Sequence, residues 1–290
     1  MRMAWMILLT FLFLSEVSAQ SMDKEVVYEK EDSLIVQSYL QQFSDSIHKT
    51  TGTLIAETGM FFLKTPYVAS TLEGHSPEKL VVNLRSFDCT TFLESVIALT
   101  MTLKKRGDFE NYCYQLEKLR YRDGKRDGYL SRLHYFSEWI VNNQKKGLIN
   151  DVTKKIKGKK VYFNLNFMST HYQAYEALAA NAAWIPSIEK TEAYLRSTPF
   201  FYLPKAEVSK RSAMIENGDL LAITTAIEGL DISHVGIAYK KGGVIHLMHA
   251  SATEKKVVIS TMSLADYLAS NKKQTGIIVL RMRGVSPRIK

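Results

Sequence analysis

The chain has 290 residues and a formal net charge of +9, enough length for one large domain or two small ones. The basic excess suits an anionic partner such as cell wall, membrane surface or nucleic acid. No nucleic-acid-reading motif accompanies it, and the basic runs at 104–106, 154–160 and 205–211 are scattered rather than gathered on one helix face, so they read as solvated surface. There is no internal repeat or low-complexity tract.

The N-terminus reads as a leader. Arg2 supplies a short positive region, 4–14 form an apolar run too short for a permanent membrane span, and Val17-Ser18-Ala19 gives a small-residue cleavage pattern. The expectation is a signal peptide at 1–19 and a mature domain at 20–290, exported to the periplasm or secreted, with an uncleaved anchor as the rival. No cysteine lies near the cut, which argues against lipoprotein processing. No later segment looks transmembrane.

Residues 32–63 read as largely helical, with Leu34, Tyr39 and Phe43 on one side and an interruption at Gly52. Thr65-Pro66-Tyr67 opens a loop that runs to Pro77, and 80–84 form a short extended run. Residues 108–147 again read as helical, split by a polar turn at 122–128, with Ser131 expected to cap a second helix carrying Leu133, Phe136 and Ile140. Pro186, Pro199 and Pro204 suggest loops and short pieces, with a helix through 174–183. From Gly218 the pattern changes to strands, at 219–224, 234–239, 244–250, 257–261 and 276–283. Helices first and an antiparallel meander last give an α+β class.

Chemistry concentrates at Asp88-Cys89. Asp88 is a good N-cap, which puts Cys89 in the first turn of a helix that carries Phe92, Val96, Leu99 and Leu103. Free N–H groups and the helix dipole at that point are expected to lower the thiol pKa and to hold an oxyanion formed beside the sulfur. The other cysteine, Cys113, sits in a helix interior and reads as a buried inert thiol, although an oxidising compartment could pair the two and make Cys89 structural.

A cysteine nucleophile needs a base, and the base needs an orienting partner. His234, His246 and His249 lie in the C-terminal strands around Lys240-Lys241-Gly242-Gly243. A two-residue Gly242-Gly243 turn sets Gly236 opposite His249 and leaves His234 as its diagonal neighbour. A four-residue loop sets His234 directly opposite His249, and a three-residue loop selects the His246 face instead. His234 is therefore assigned as base and His249 as its orienter, with His246 as the spare. Zinc is disfavoured because His246 and His249 diverge on a strand and no adjacent Cys or Glu completes a tetrahedral set. No metal or cofactor is expected.

Phe87-Asp88-Cys89, Ser233-His234-Val235-Gly236-Ile237 and His249-Ala250-Ser251 resemble the NlpC-type, papain-like cell-wall cysteine peptidases. Thr65-Pro66-Tyr67-Val68-Ala69, the stretch from Leu80 to Arg85, Asp88-Cys89-Thr90-Thr91-Phe92 and the stretch from Ser131 to Phe136 narrow the likeness to the exported N-acetylmuramoyl-L-alanine amidase-like family. The resemblance implies a nucleophile helix packed on a C-terminal antiparallel sheet, with a helical insertion at about 105–205. It implies cleavage of muramyl peptides or peptidoglycan fragments between N-acetylmuramic acid, including its anhydro form, and L-alanine. The implied triad is Cys89, His234 and His249. A monomer is expected. Tyr67 would assist the oxyanion, and Arg85, Arg132 and His134 would grip sugar or peptide carboxylates unless their roles are structural. Asp88 and Ser233 complete the expected substrate-binding set. A γ-D-glutamyl endopeptidase on the stem peptide and a non-catalytic wall-binding protein are the alternatives.

Overall fold

A computed structural model describes residues 26–284, so the leader expected at 1–19 lies outside the described residues. The N-terminal part holds β1 (Val26–Val27), α1 (Lys30–Gln42), α2 (Thr51–Phe61), β2 (Leu80–Val81) and α3 (Cys89–Lys104). Then come α4 (Phe109–Arg120), α5 (Phe136–Lys145), β3 (Ile149–Asp151), β4 (Lys159–Val161), α6 (Phe167–Thr170) and α7 (Glu176–Ala180). They are followed by α8 (Ile185–Ser197), β5 (Phe200–Pro204) and α9 (Lys205–Arg211). The C-terminal part holds β6 (Leu220–Thr225), β7 (Ile232–Lys241), β8 (Val244–Ser251), β9 (Lys256–Ile259), α10 (Leu264–Ser270) and β10 (Gln274–Met282).

The fold combines a helical part with an antiparallel sheet whose order is β4-β5-β10-β6-β7-β8-β9, with β3 paired to β10. Strand alternation gives the sheet two apolar faces. Leu220, Ala222, Val235, Ile237, Met248 and Ala250 join the core around α3. Leu221, Ile223, Ala238, Ile245 and Leu247 join a second cluster with Val208 of α9 and Leu264 and Leu268 of α10. Helices thus cover both faces.

Helix α3 is buried on every side from Thr91 to Lys104, where the heptad-like spacing predicts a single apolar stripe. Its polar residues are satisfied inside the protein. The Thr58 and Thr100 hydroxyls meet at 3.1 Å, and Glu94 accepts from Arg120 Nε at 2.7 Å and Trp139 Nε1 at 3.2 Å. Each fully buried Phe, Leu or Val of such a helix contributes about 1.5–3 kcal/mol. The nucleophile candidate therefore stands at the start of a helix packed on all sides.

Three readings need correction. The segment 105–205 is not wholly helical, because it supplies β3, β4 and β5 to the main sheet. The interruption between α1 and α2 spans 43–50, with a short 3₁₀ turn at Ser44–His48, and Gly52 lies inside α2. Ser131 does not cap α5. Its hydroxyl donates to Gly128 O, and the α5 first-turn donor Ser137 N–H is met at 2.7 Å by the buried Asp231 carboxylate, which precedes β7. That cap comes from a residue far along the chain, so no local pattern announces it.

Candidate active site

The loop between β7 and β8 is a two-residue turn, with Lys241 opposite Val244 and Ile237 opposite Met248. Gly242 and Gly243 have φ of 56° and 84°, the left-handed pair that a type I′ hairpin requires. One consequence is that His234 and His249 meet: His234 Nε2 lies 2.6 Å from His249 Nδ1, with the rings nearly perpendicular. Gly236 makes room for this, since a Cβ there would stand 2.7 Å from Met248 O and 3.1 Å from His249 Cβ. The β6–β7 register shifts between Ile223↔His234 and Thr224↔Ile232, leaving Ser233 as the extra residue of a bulge. Bulges re-aim neighbouring side chains, and this one sits directly before His234. Tyr267 of α10 stands edge-on to the His249 ring at 5.4 Å. His246 points to the other side, where its Nδ1 meets Ser260 O and Met262 O.

Asp88 caps α3 through a reciprocal box: Thr91 N–H donates to its carboxylate at 2.7 Å, and Asp88 N–H donates to Thr91 Oγ1 at 2.9 Å. Phe87 locks the approach by T-shaped contacts with Phe62 and Phe92. It also exchanges backbone hydrogen bonds with Pro66 and Val68, which holds Tyr67 alongside. Cys89 is a free thiol, half-buried, and the backbone N–H of Val235 in β7 points at its sulfur. The helix tip therefore meets the strand one residue after His234.

The expected lowering of the thiol pKa is reversed. Burial pushes Cys89 up to about 11, the Asp88 carboxylate adds to this, and the Val235 N–H and Thr90 hydroxyl oppose it. Burial also holds His234 near 3, with His249 contributing, and His249 near 4. These shifts all favour the neutral forms of the thiol and the two imidazoles. Sheet and helices close over the sulfur more fully than a helix tip in isolation suggests.

Cys89, Thr90, His134, Asp231, Ser233 and His234 line one cavity of about 230 Å³. Tyr67 is half-buried, its hydroxyl pushed up first by burial and then by the charges of Cys89 and Asp88. Ser233 is exposed on the cavity rim. His134 packs on Tyr129 with ring centroids 4.3 Å apart and planes tilted by 40°, its Nε2 meets Tyr129 O at 2.9 Å, and burial holds it near 3. Arg132 instead faces a second cavity of about 500 Å³, where it pairs with Glu73 at 2.9 Å and Glu78 at 3.6 Å. Arg85 does not line the first cavity: its guanidinium holds the buried Asp32 at 3.2 Å. Sequence reasoning missed Glu73 and Tyr129, which line both cavities, and Tyr175 and Asp231 on the first. Among the described residues no group of three or more His, Cys, Asp or Glu could hold a metal ion.

The family model described as AmiA-like, N-acetylmuramoyl-L-alanine amidase-like, matches residues 57–277. A solved N-acetylmuramoyl-L-alanine amidase from Bacteroides uniformis is 42% identical, covering 80% of this chain and 99% of that one at a TM-score of 0.77. A Bacteroides fragilis protein provisionally described as a xylanase is 41% identical, covering 78% and 99% at a TM-score of 0.74. A Legionella pneumophila protein at 22% identity, covering 94% and 98%, shares the fold at a TM-score of 0.66. No curated protein matches.

Proposed function

The chain belongs to the N-acetylmuramoyl-L-alanine amidase-like family, and from that membership and the site's geometry we propose an exported cysteine amidase of the NlpC-type, papain-like group. Its reaction is hydrolysis of the amide between N-acetylmuramic acid and L-alanine in peptidoglycan fragments. The observation that carries this reading is a free thiol at a helix N-terminus sharing a cavity with a histidine whose Nε2 is held at 2.6 Å by a second histidine.

The histidine pair supports one arrangement of the protons. His234 Nε2 is engaged with His249 Nδ1, so Nδ1 is the nitrogen left to face the thiol. To accept a proton there, His234 carries its own proton on Nε2 and donates it to His249. As Cys89 attacks the lactyl carbonyl, its proton passes to His234 Nδ1, and the imidazolium keeps its bond to His249. The oxyanion is met by the Cys89 backbone N–H and the Tyr67 hydroxyl. His234 next protonates the departing alanine nitrogen, and then draws a proton from water that releases the muramyl thioester as the acid.

A glycosidase would need two carboxyl groups flanking the bond. Of the cavity's carboxyls, Asp231 is bound by the Ser137 and Ile232 N–H groups and Glu73 by Arg132. Arg85, tied to Asp32, has a structural role in this reading, whereas Ser233 and His134 remain at the substrate. Mass spectrometry of a digest of a defined disaccharide peptide tests the bond cleaved. Free disaccharide plus intact peptide is expected, and a disaccharide dipeptide would place the chain among endopeptidases instead.

A further inference from the structure

Two basic runs that look unrelated along the chain are brought together by the fold. Strand β4 pairs with β5, setting Lys159 opposite Tyr202 and Lys160 opposite Phe201, and β5 runs directly into α9. Residues 151–162 and 200–211 together hold eight bases against two acids, Asp151 and Glu207. Most of the chain's +9 excess therefore gathers at this end of the sheet.

The lysines stand on a rigid support. Thr153 is buried, its hydroxyl donating to Val279 O at 3.2 Å while Val279 N–H donates back at 2.8 Å. Gly158 N–H closes the turn onto Thr153 O at 2.9 Å, and Ile156 anchors it in the apolar layer below. Lys154, Lys155, Lys157, Lys159 and Lys160 are all exposed, and none forms an ion pair among the described residues.

Aromatic rings lie among these charges. Lys160 and Phe201 are register partners, and Tyr162 is two residues beyond Lys160, so all three share a face. Lys160 Nζ lies 5.0 Å over the Tyr162 ring and Lys154 Nζ 5.3 Å over the Phe201 ring. Tyr162 is itself 53% exposed. Unpaired ammonium groups flanking an amphipathic ring match a layer of phosphate headgroups over hydrocarbon, where the cations meet phosphate and the ring sits at headgroup depth.

We propose that the β4–β5 edge, with α9, docks the protein peripherally on an anionic phospholipid bilayer. Strand β4 stands four strands from β7 in the sheet, about 19 Å at ordinary interstrand spacing, so docking leaves the cavity open.

Co-sedimentation of the mature chain with vesicles of phosphatidylcholine, alone or mixed with phosphatidylglycerol, tests this. Binding is expected only to the mixed vesicles and falls as salt rises. At about fivefold per lysine, Lys154→Gln with Lys160→Gln weakens it about 25-fold, and Gln at all five lysines reduces it to the phosphatidylcholine level. Tyr162→Ser weakens it several-fold with charge unchanged. Hydrolysis of soluble muramyl peptides by these variants stays at the parental rate, which also certifies their fold. Undiminished binding by the five-lysine variant, or equal binding to phosphatidylcholine alone, overturns the proposal. So does an inert Tyr162→Ser combined with equally tight binding to heparin, which would make the edge a general polyanion site.

Discussion

Cys89 and Cys113 are both free, and burial pushes both thiols up, to about 11 and about 12. Their acidities barely separate them. Cys89 opens a helix, has the Val235 N–H at its sulfur and lines a cavity with His234, whose ring meets His249. Cys113 lies inside α4 within the apolar core, and the charged groups around it are the acids Glu110, Glu117 and Asp108. On the proposed function, what marks Cys89 out as the nucleophile is the company of its sulfur rather than its resting pKa. In the proposed mechanism the proton leaves Cys89 only when His234 takes it during attack.

That contrast is open to direct attack. Cys89→Ser should lower kcat/KM on muramyl peptides by at least about a thousandfold. Cys113→Ser should leave it within about twofold, while costing about 1–3 kcal/mol in denaturant melts for a hydroxyl placed in an apolar core. Comparable activity losses in the two variants would erase the distinction.

The base comes next. His234→Ala should cost about 10²–10⁴ in kcat, within the usual range for general acid–base groups, and His249→Ala less, because it acts through His234. Alkylation by iodoacetamide should slow in parallel at Cys89, with Cys113 untouched in every variant. Fast alkylation of Cys113 would show that burial does not protect it.

A third test uses pH. The proposed mechanism needs a single proton shared by the thiol–imidazole pair. Its acid limb should therefore fall at about 3–4, where His234 and His249 gain a proton, and its alkaline limb near 11, outside the ordinary 6.5 and 9.0 of imidazole and thiol. Stability follows the same shifts. His134, His234 and His249 are depressed on folding, so their contribution is complete above 6.5 and drains as pH falls toward about 3–4. Cys89 is raised on folding, so its contribution is lost as pH climbs from 9.0 to about 11. Melting temperatures across these windows check both signs.

The smallest effect compares two caps. Asp88 caps α3 and Asp108 caps α4 by the same kind of bond, to Thr91 N–H and Asn111 N–H. Replacing either by Ala should cost about 1 kcal/mol. Only Asp88→Ala should also lower the Cys89 pKa, by removing a neighbouring negative charge, as read from the ultraviolet absorbance of the thiolate.

Features set by short-range chemistry were legible in the sequence. Asp88 lies three residues from Thr91, and Gly242-Gly243 determines which histidine faces which, so cap and hairpin follow from local pattern. What stayed hidden depends on distant partners. Strands β3 and β5 exist because β10 pairs with them, and Asp231 caps α5 from the start of β7. The Cys89 pKa reflects how helices and sheet close over it, and Arg85 is claimed by Asp32 more than fifty positions away. Alternation in the strands gave no warning of the bulge at Ser233.

The account stands on covalent catalysis by one sulfur. Acid quenching during turnover of a muramyl peptide, followed by mass spectrometry of the proteolysed enzyme, should find a muramyl thioester on the peptide that contains Cys89. Undiminished turnover by Cys89→Ala, with no adduct on the parental enzyme, would contradict it.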